Sequence, residues 1–415
     1  MSTQKDPLTL MAMWGSMKGY DPQQGFSFEG PEKRLEVIVR CVAETHTDGL
    51  HSLDDEVWAG VVGSLNAQIV SKEKNAHIKS YVLTESSLFV MKNRIILITC
   101  GTTTLLNSVP KILEAISAVR GEVEWVSFMH KNFSFPWEQK GPHTSLSDEF
   151  QALKKFFPTG KPYIFGPVDS DHYFLYYYDD IIRPCTSGED DTQLSMNMYG
   201  LDPEQTKHWF SDRFISTGEE TRRIRALTHL DRVVDDSWTL HDLQFEPCGY
   251  SINAIRDEEY QTMHITPESH CSFASYETNT RAPNYSDRTR KVLSVFGPQR
   301  FTVIVFIDPD SPVGKIYHSG KAIGVEPECY PEYQVLNRTV NEFAPGYVAM
   351  KINYVKKSVV QEMQDRAASD AKTVTTSIDE AAAAAAAVAE AQKAQTAAQA
   401  PAETTASTGG EATEK

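Results

Sequence analysis

Apolar and polar positions alternate in blocks along the chain, and the blocks come in the same order twice. Gly30-Pro31 followed by Leu35, Ile38, Val39 and Val42 at helical spacing predicts a first helix, with proline in its first turn. Asp54–Leu65 predicts a second, with Ser52 as its cap. Short β-type runs follow at Ser80–Leu83, Ser87–Met91 and Arg94–Thr99, with Lys92-Asn93 as the turn between the last two. A helical stretch over Thr103–Val119, interrupted at Pro110, leads to a strand near Val123–Met129. Later, strands near Tyr250–Ile255, Tyr260–Thr266 and Ser272–Glu277 precede a helical stretch Tyr285–Val295 and a strand Thr302–Ile307. Hairpins, helix, strand, twice over, predict an internally duplicated α+β protein. Its mainly antiparallel sheets each carry helices on one face.

The ends differ from this body. Residues 1–20 hold Trp14 and Tyr20 among glycines without periodicity, an arm expected to pack on the body or on a partner. Residues 361–415 contain 19 alanines and no aromatic, and read as a disordered tail able to form a transient helix. The single domain is therefore expected over 21–360.

Charge and composition narrow the function. The 415 residues carry 40 basic and 56 acidic side chains, a net charge of −16, which speaks against a nucleic-acid partner. No run approaches the ~20 apolar residues of a membrane span, and Leu8–Trp14 is too short and mixed for a signal peptide. Six scattered cysteines without a CxxC read as reduced thiols of a cytoplasmic protein, with no metal site. Dinucleotide, P-loop and zincin motifs do not occur.

Candidate chemistry gathers at YVLTESSLFV, 81–90, where Thr84-Glu85-Ser86-Ser87 breaks a strand-like run. One reading is a bulge or tight turn. The other is self-processing, in which a serine hydroxyl attacks the preceding carbonyl, given a strained peptide, an oxyanion donor and a base. Cys100 in ITCGTTT stands at a strand-to-loop junction, Ser251 in PCGYS in a turn, and His264 in MHITPE on a strand. Alone, each reads as an ordinary core or structural residue.

Taken in order, YVLTESSLFV, TCGTTT, PCGYSIN and HITPE resemble the eukaryotic S-adenosylmethionine decarboxylases over about Phe26 to Val355. MAMWGSMKGYDP, GPVDSDHYF and DRFIST are most similar to the trypanosomatid branch. The resemblance implies a four-layer α/β/β/α sandwich. It also implies cleavage between Glu85 and Ser86 into a small chain 1–85 and a large chain 86–415. Ser86 would become a pyruvoyl cofactor that forms a Schiff base with the substrate, S-adenosylmethionine, without pyridoxal phosphate or metal. Carried over residue by residue, Cys100 is the proton donor in turnover, and His264 and Ser251 serve processing. Phe28 and Phe245 stack the adenine, the Leu83 backbone meets its edge, Glu268 holds the ribose, and Glu29 and Glu32 are acidic residues needed for activity. First-turn glutamates of a helix would equally explain Glu29 and Glu32. Glu36, Asp191 and Glu277 match the carboxylates of a putrescine pocket, but a lysine and a glutamate found in putrescine-activated relatives are Ile98 and Ser195 here. Carboxylates without a cation repel one another, so a bound diamine would relieve them. Implied partners are an inactive paralogue, as a heterodimer, or a second copy. Rival readings are that the chain is itself the non-catalytic regulatory subunit, or that it is a self-processing hydrolase with an N-terminal serine nucleophile.

Overall fold

The computed structural model describes residues 30–41, 48–179, 192–344 and 347–398. The arm 1–20, Phe28, Glu29 and Asp191 lie outside them, as does the end of the tail. The chain divides into two units, Met1–Lys357 and Ser358–Lys415. Over Lys357–Ala398 the chain is a single 42-residue helix. Alanine favours this conformation.

The first unit holds two eight-stranded sheets. The first comprises β1 (Lys33–Cys41), β2 (Ile69–Lys74), β3 (Ile78–Leu83), β4 (Ser86–Met91), β5 (Arg94–Thr99), β6 (Gly121–Lys131), β7 (Lys161–Phe165) and β8 (Tyr173–Asp179). The second comprises β9 (Thr192–Tyr199), β10 (Thr239–Gln244), β11 (Tyr250–Arg256), β12 (Glu259–Thr266), β13 (Phe273–Thr278), β14 (Arg300–Ile307), β15 (Tyr333–Ala344) and β16 (Tyr347–Lys356). Their spatial orders are β2-β3-β4-β5-β1-β6-β8-β7 and β10-β11-β12-β13-β9-β14-β16-β15. The second order is the first with every strand number raised by eight, which is the internal duplication in structural form. Neighbouring strands run antiparallel throughout.

Period-two alternation sorts the side chains into layers. On β4, Leu88 and Val90 join the core between the first sheet and its helices, while Phe89 joins a cluster with Ile255 and Tyr260 of the other sheet. On β11 and β12, Tyr250, Ile252, Ala254, Met263 and Ile265 pack in the second sheet's outer core. Ser251, Asn253, Thr262 and His264 alternate with them, so they take the opposite, inter-sheet face. The architecture is the expected α/β/β/α sandwich.

Three expectations fail locally. The stretch read as a helix from Gly30-Pro31 is β1, flanked by β5 and β6. A central strand covered on both faces is apolar nearly throughout, so its spacing mimics a helix. Ser52 does not cap the next helix: its hydroxyl donates to the Gly49 carbonyl, and Asp54 precedes the helix Asp55–Gly63. Pro110 sits in the first turn of Val109–Ala118, after a 3-10 turn at Leu105–Ser108, so it starts a helix instead of kinking one.

Candidate active site

Leu83 on β3 pairs with Ser86 on β4, which leaves Thr84-Glu85 as a two-residue turn. Ser86 also pairs with Thr99 on β5, so its backbone is held from both sides. It is buried, with φ of 120°, a conformation that costs a side-chain-bearing residue about 1–3 kcal/mol. The Ser86 hydroxyl donates to Glu32 Oε1 at 3.1 Å. Cys100 follows β5, and its backbone N–H donates to the Glu85 carbonyl at 3.1 Å, with its Sγ 3.7 Å from the same oxygen. The carbonyl that Ser86 would attack is thus already polarised by a fixed donor.

Electrostatics follow from burial. Burial, Glu85 and Glu32 all push the Cys100 thiol far up, so it holds its proton at neutral pH. Burial and the nearby Glu277 push the Glu32 carboxyl up to about 8, against hydrogen bonds from Ser275 and Ser86. Burial pushes His264 down to about 3, so the ring is neutral at physiological pH.

Ser251 lies on β11, not in the turn expected for it, and the register sets it directly opposite His264. His264 Nδ1 lies 2.8 Å from Ser251 Oγ, and Nε2 lies 2.9 Å from Ser87 Oγ and 3.0 Å from Thr262 Oγ1. The histidine therefore meets the serine after Ser86, not Ser86 itself, and reaches the turn through that neighbour. Phe245 directly follows β10, with Phe214 edge-on at 5.9 Å. Glu268 follows β12, and its Oε2 is buried without a partner among the described residues. Such an oxygen suits a ligand hydroxyl.

Two of the three putrescine-pocket candidates, Glu36 and Glu277, fall within the described residues. Glu36 and Glu277 are brought together, but around a cation. Arg34 Nη1 donates to Glu36 Oε2 at 2.7 Å, and Arg34 Nε donates to Glu277 Oε1 at 2.8 Å. Arg94 Nη1 lies 3.2 Å from Glu36 Oε1. The repulsion expected between these carboxylates is already relieved. The sequence shows the arginines, but only the strand assignment of β1 places Arg34 and Glu36 on one face. The helix reading also hid Lys33, a fully buried lysine that donates to the Gly101 carbonyl at 2.7 Å and holds the loop after Cys100. Sequence reasoning likewise missed Ser87, Asn253 and Thr262. Among the described residues no group of three His, Cys, Asp or Glu could hold a metal ion, and no helix is long and apolar enough to cross a membrane.

The family model described as adenosylmethionine decarboxylase matches residues 25–355. The chain is 83% identical to the S-adenosylmethionine decarboxylase proenzyme of Leishmania donovani over 361 residues, 87% of this chain and 94% of that one. It is 74% identical to the Trypanosoma cruzi proenzyme, over 87% of this chain and 98% of the relative. A crystal structure of a Trypanosoma brucei AdoMetDC-delta26 monomer superposes with a TM-score of 0.55 at 64% identity, covering 65% of this chain and 99% of the other. The chain belongs to the adenosylmethionine decarboxylase family.

Proposed function

We propose that this decarboxylase is made as a precursor that cuts itself between Glu85 and Ser86, and that the new terminus becomes a pyruvoyl group. The observation that carries the reading is the Glu85–Ser86 linkage: strained backbone at Ser86, a hydroxyl held by Glu32, and a carbonyl held by Cys100 N–H.

The Ser86 hydroxyl adds to the Glu85 carbonyl carbon, and the Cys100 N–H meets the developing oxyanion. Collapse expels the Ser86 nitrogen, so an amide becomes an ester. A base then takes the Cα proton of residue 86; the ester C–O bond breaks, Glu85 leaves as a carboxylate, and residue 86 becomes dehydroalanine. Addition of water and loss of ammonia yield the pyruvoyl group on the large chain 86–415, with 1–85 as the small chain. His264 is the base and Ser251 its partner in the acyl shift.

The residues around position 86 suit such a group, with a thiol, a carboxyl and the β5 backbone already facing it. When formed, it supplies a ketone to capture the substrate amine and an electron sink for loss of CO₂, without pyridoxal phosphate. Cys100, kept protonated by its surroundings, holds the proton that returns to the substrate carbon. Phe245 and Glu268, with Phe28 and the Leu83 backbone, hold the nucleoside of S-adenosylmethionine. Glu29 and Glu32 are the acidic residues needed for activity, Glu32 through its contact with Ser86. Arg34 and Arg94 supply the charge that putrescine would otherwise bring to Glu36 and Glu277, so activation by the diamine is weak. The arm 1–20 serves contact with an inactive paralogue or a second copy in the cytoplasm.

Purified protein should run as two chains, while Ser86→Ala runs as one and is inactive. A Ser86→Ala chain that still decarboxylates would refute the reading.

A further inference from the structure

Asn253 on β11 lies buried between the sheets, with one end of its amide toward β3 and the other toward His264. Its Nδ2 lies 3.2 Å from the Tyr81 carbonyl and 3.2 Å from Ser80 Oγ. A carbonyl only accepts, so the NH₂ end of the amide must face Tyr81. The other end is then the oxygen, 2.7 Å from Ser87 Oγ and 2.8 Å from Thr262 Oγ1. That oxygen also only accepts. Each hydroxyl has a single proton, and both protons are committed to Asn253 Oδ1.

Ser87 and Thr262 can therefore offer His264 Nε2 only lone pairs, at 2.9 and 3.0 Å. Nε2 must carry the ring proton, since otherwise acceptors would face each other at hydrogen-bond distance. A neutral imidazole has one N–H, so the free lone pair lies at Nδ1, on the side of Ser251. We propose that Asn253 is a positioning residue for self-cleavage: through Ser87 and Thr262 it locks His264 as the Nε2–H tautomer and so keeps Nδ1 available as the base. When Nδ1 takes a proton, the Nε2–H of the resulting imidazolium still has two oxygen acceptors. The same commitment separates the adjacent serines, because the Ser87 proton is held by Asn253 while the Ser86 hydroxyl faces Glu32.

This inference rests on cleavage at Glu85–Ser86 with His264 as base, and the test separates the two. In uncleaved Ser86→Ala protein with ¹⁵N-labelled histidine, assigned with a His264→Gln variant, the ring of His264 should show protonated Nε2 and unprotonated Nδ1. Asn253→Ala frees Ser87 and Thr262 to donate to Nε2 and should move the proton to Nδ1. In the cleavable chain, Asn253→Ala should slow elimination by about tenfold or more, so that an ester accumulates and is cut by hydroxylamine. Asn253→Asp, protonated in this buried setting, can reproduce both ends of the amide and should restore the tautomer and most of the rate. Protonated Nδ1 in the Ser86→Ala protein would overturn the inference even if Asn253→Ala fails to fold. So would Asn253→Ala cleaving at the parental rate without trapped ester. Failure of the underlying reading looks different: the parental chain stays whole, or Ser86→Ala is cut.

Discussion

Replacing Ser86 by glycine, compared with Ser86→Ala, isolates the backbone strain on which self-cleavage draws. Both variants lack the hydroxyl, so both should remain single chains and differ only at one Cβ. Ser86 has φ of 120°, where an alanine pays about 1–3 kcal/mol and a glycine very little. Glycine loses back about 0.5–1 kcal/mol through the greater freedom of its unfolded chain. The glycine variant should therefore be more stable than the alanine variant, by up to about 2.5 kcal/mol. At about 2.1 cal/mol/K per residue, a body the size of the first unit then melts up to about 3 °C higher. Calorimetry of the two uncut chains in one buffer measures this. In the parent, release of 1–3 kcal/mol on conversion of amide to ester favours the ester by about 5- to 150-fold. A glycine variant equal to or less stable than the alanine variant would refute strain as the driving element.

Three further outcomes are expected. Cys100→Ala should still cleave at least in part, since its backbone N–H remains, yet lose most sustained turnover or return the proton to the wrong atom; near-normal sustained turnover would make the thiol an ordinary core residue. Glu32, pushed up to about 8, accepts the Ser86 proton only when ionised, so cleavage measured by gel should accelerate as pH rises from about 7 to about 9, and Glu32→Gln should flatten that profile. Arg34→Ala leaves Glu36 and Glu277 short of a buried cation and should cost about 3–5 kcal/mol, with added putrescine raising the melting temperature of the variant far more than that of the parent; equal shifts in both would contradict the assignment of the arginine.

Where a strand has one apolar face and a plain turn, the pattern of residues shows it. The hairpin around Ser86, the strands of Ser251 and His264 and the repeat of the whole order were legible for that reason. The first strand was not, because both of its faces are buried and Leu35, Ile38 and Val39 satisfy a helical period as well as a β run. That one misreading concealed Lys33 and the Arg34–Glu36 pair, whose shared face depends on period two instead of 3.6. The stretches around Ser86, Cys100, Ser251 and His264 stand out only as motifs in a fixed order, since alone each reads as an ordinary core or structural residue. Asn253, Thr262 and Ser87 do not stand out, because their role is a matter of which lone pair faces which proton across two sheets, and no local spacing encodes it. The oxyanion donor escaped for a related reason: it is the backbone of Cys100, and every residue but proline has one.

The most direct test of the central claim is the mass of the purified active enzyme, resolved chain by chain. Self-cleavage with conversion of Ser86 predicts a small chain ending at Glu85 and a large chain 86–415 whose terminus is blocked and lighter by one ammonia than a serine terminus. An active protein that is a single uncut chain, or a large chain that begins with a free-amine serine, would contradict it.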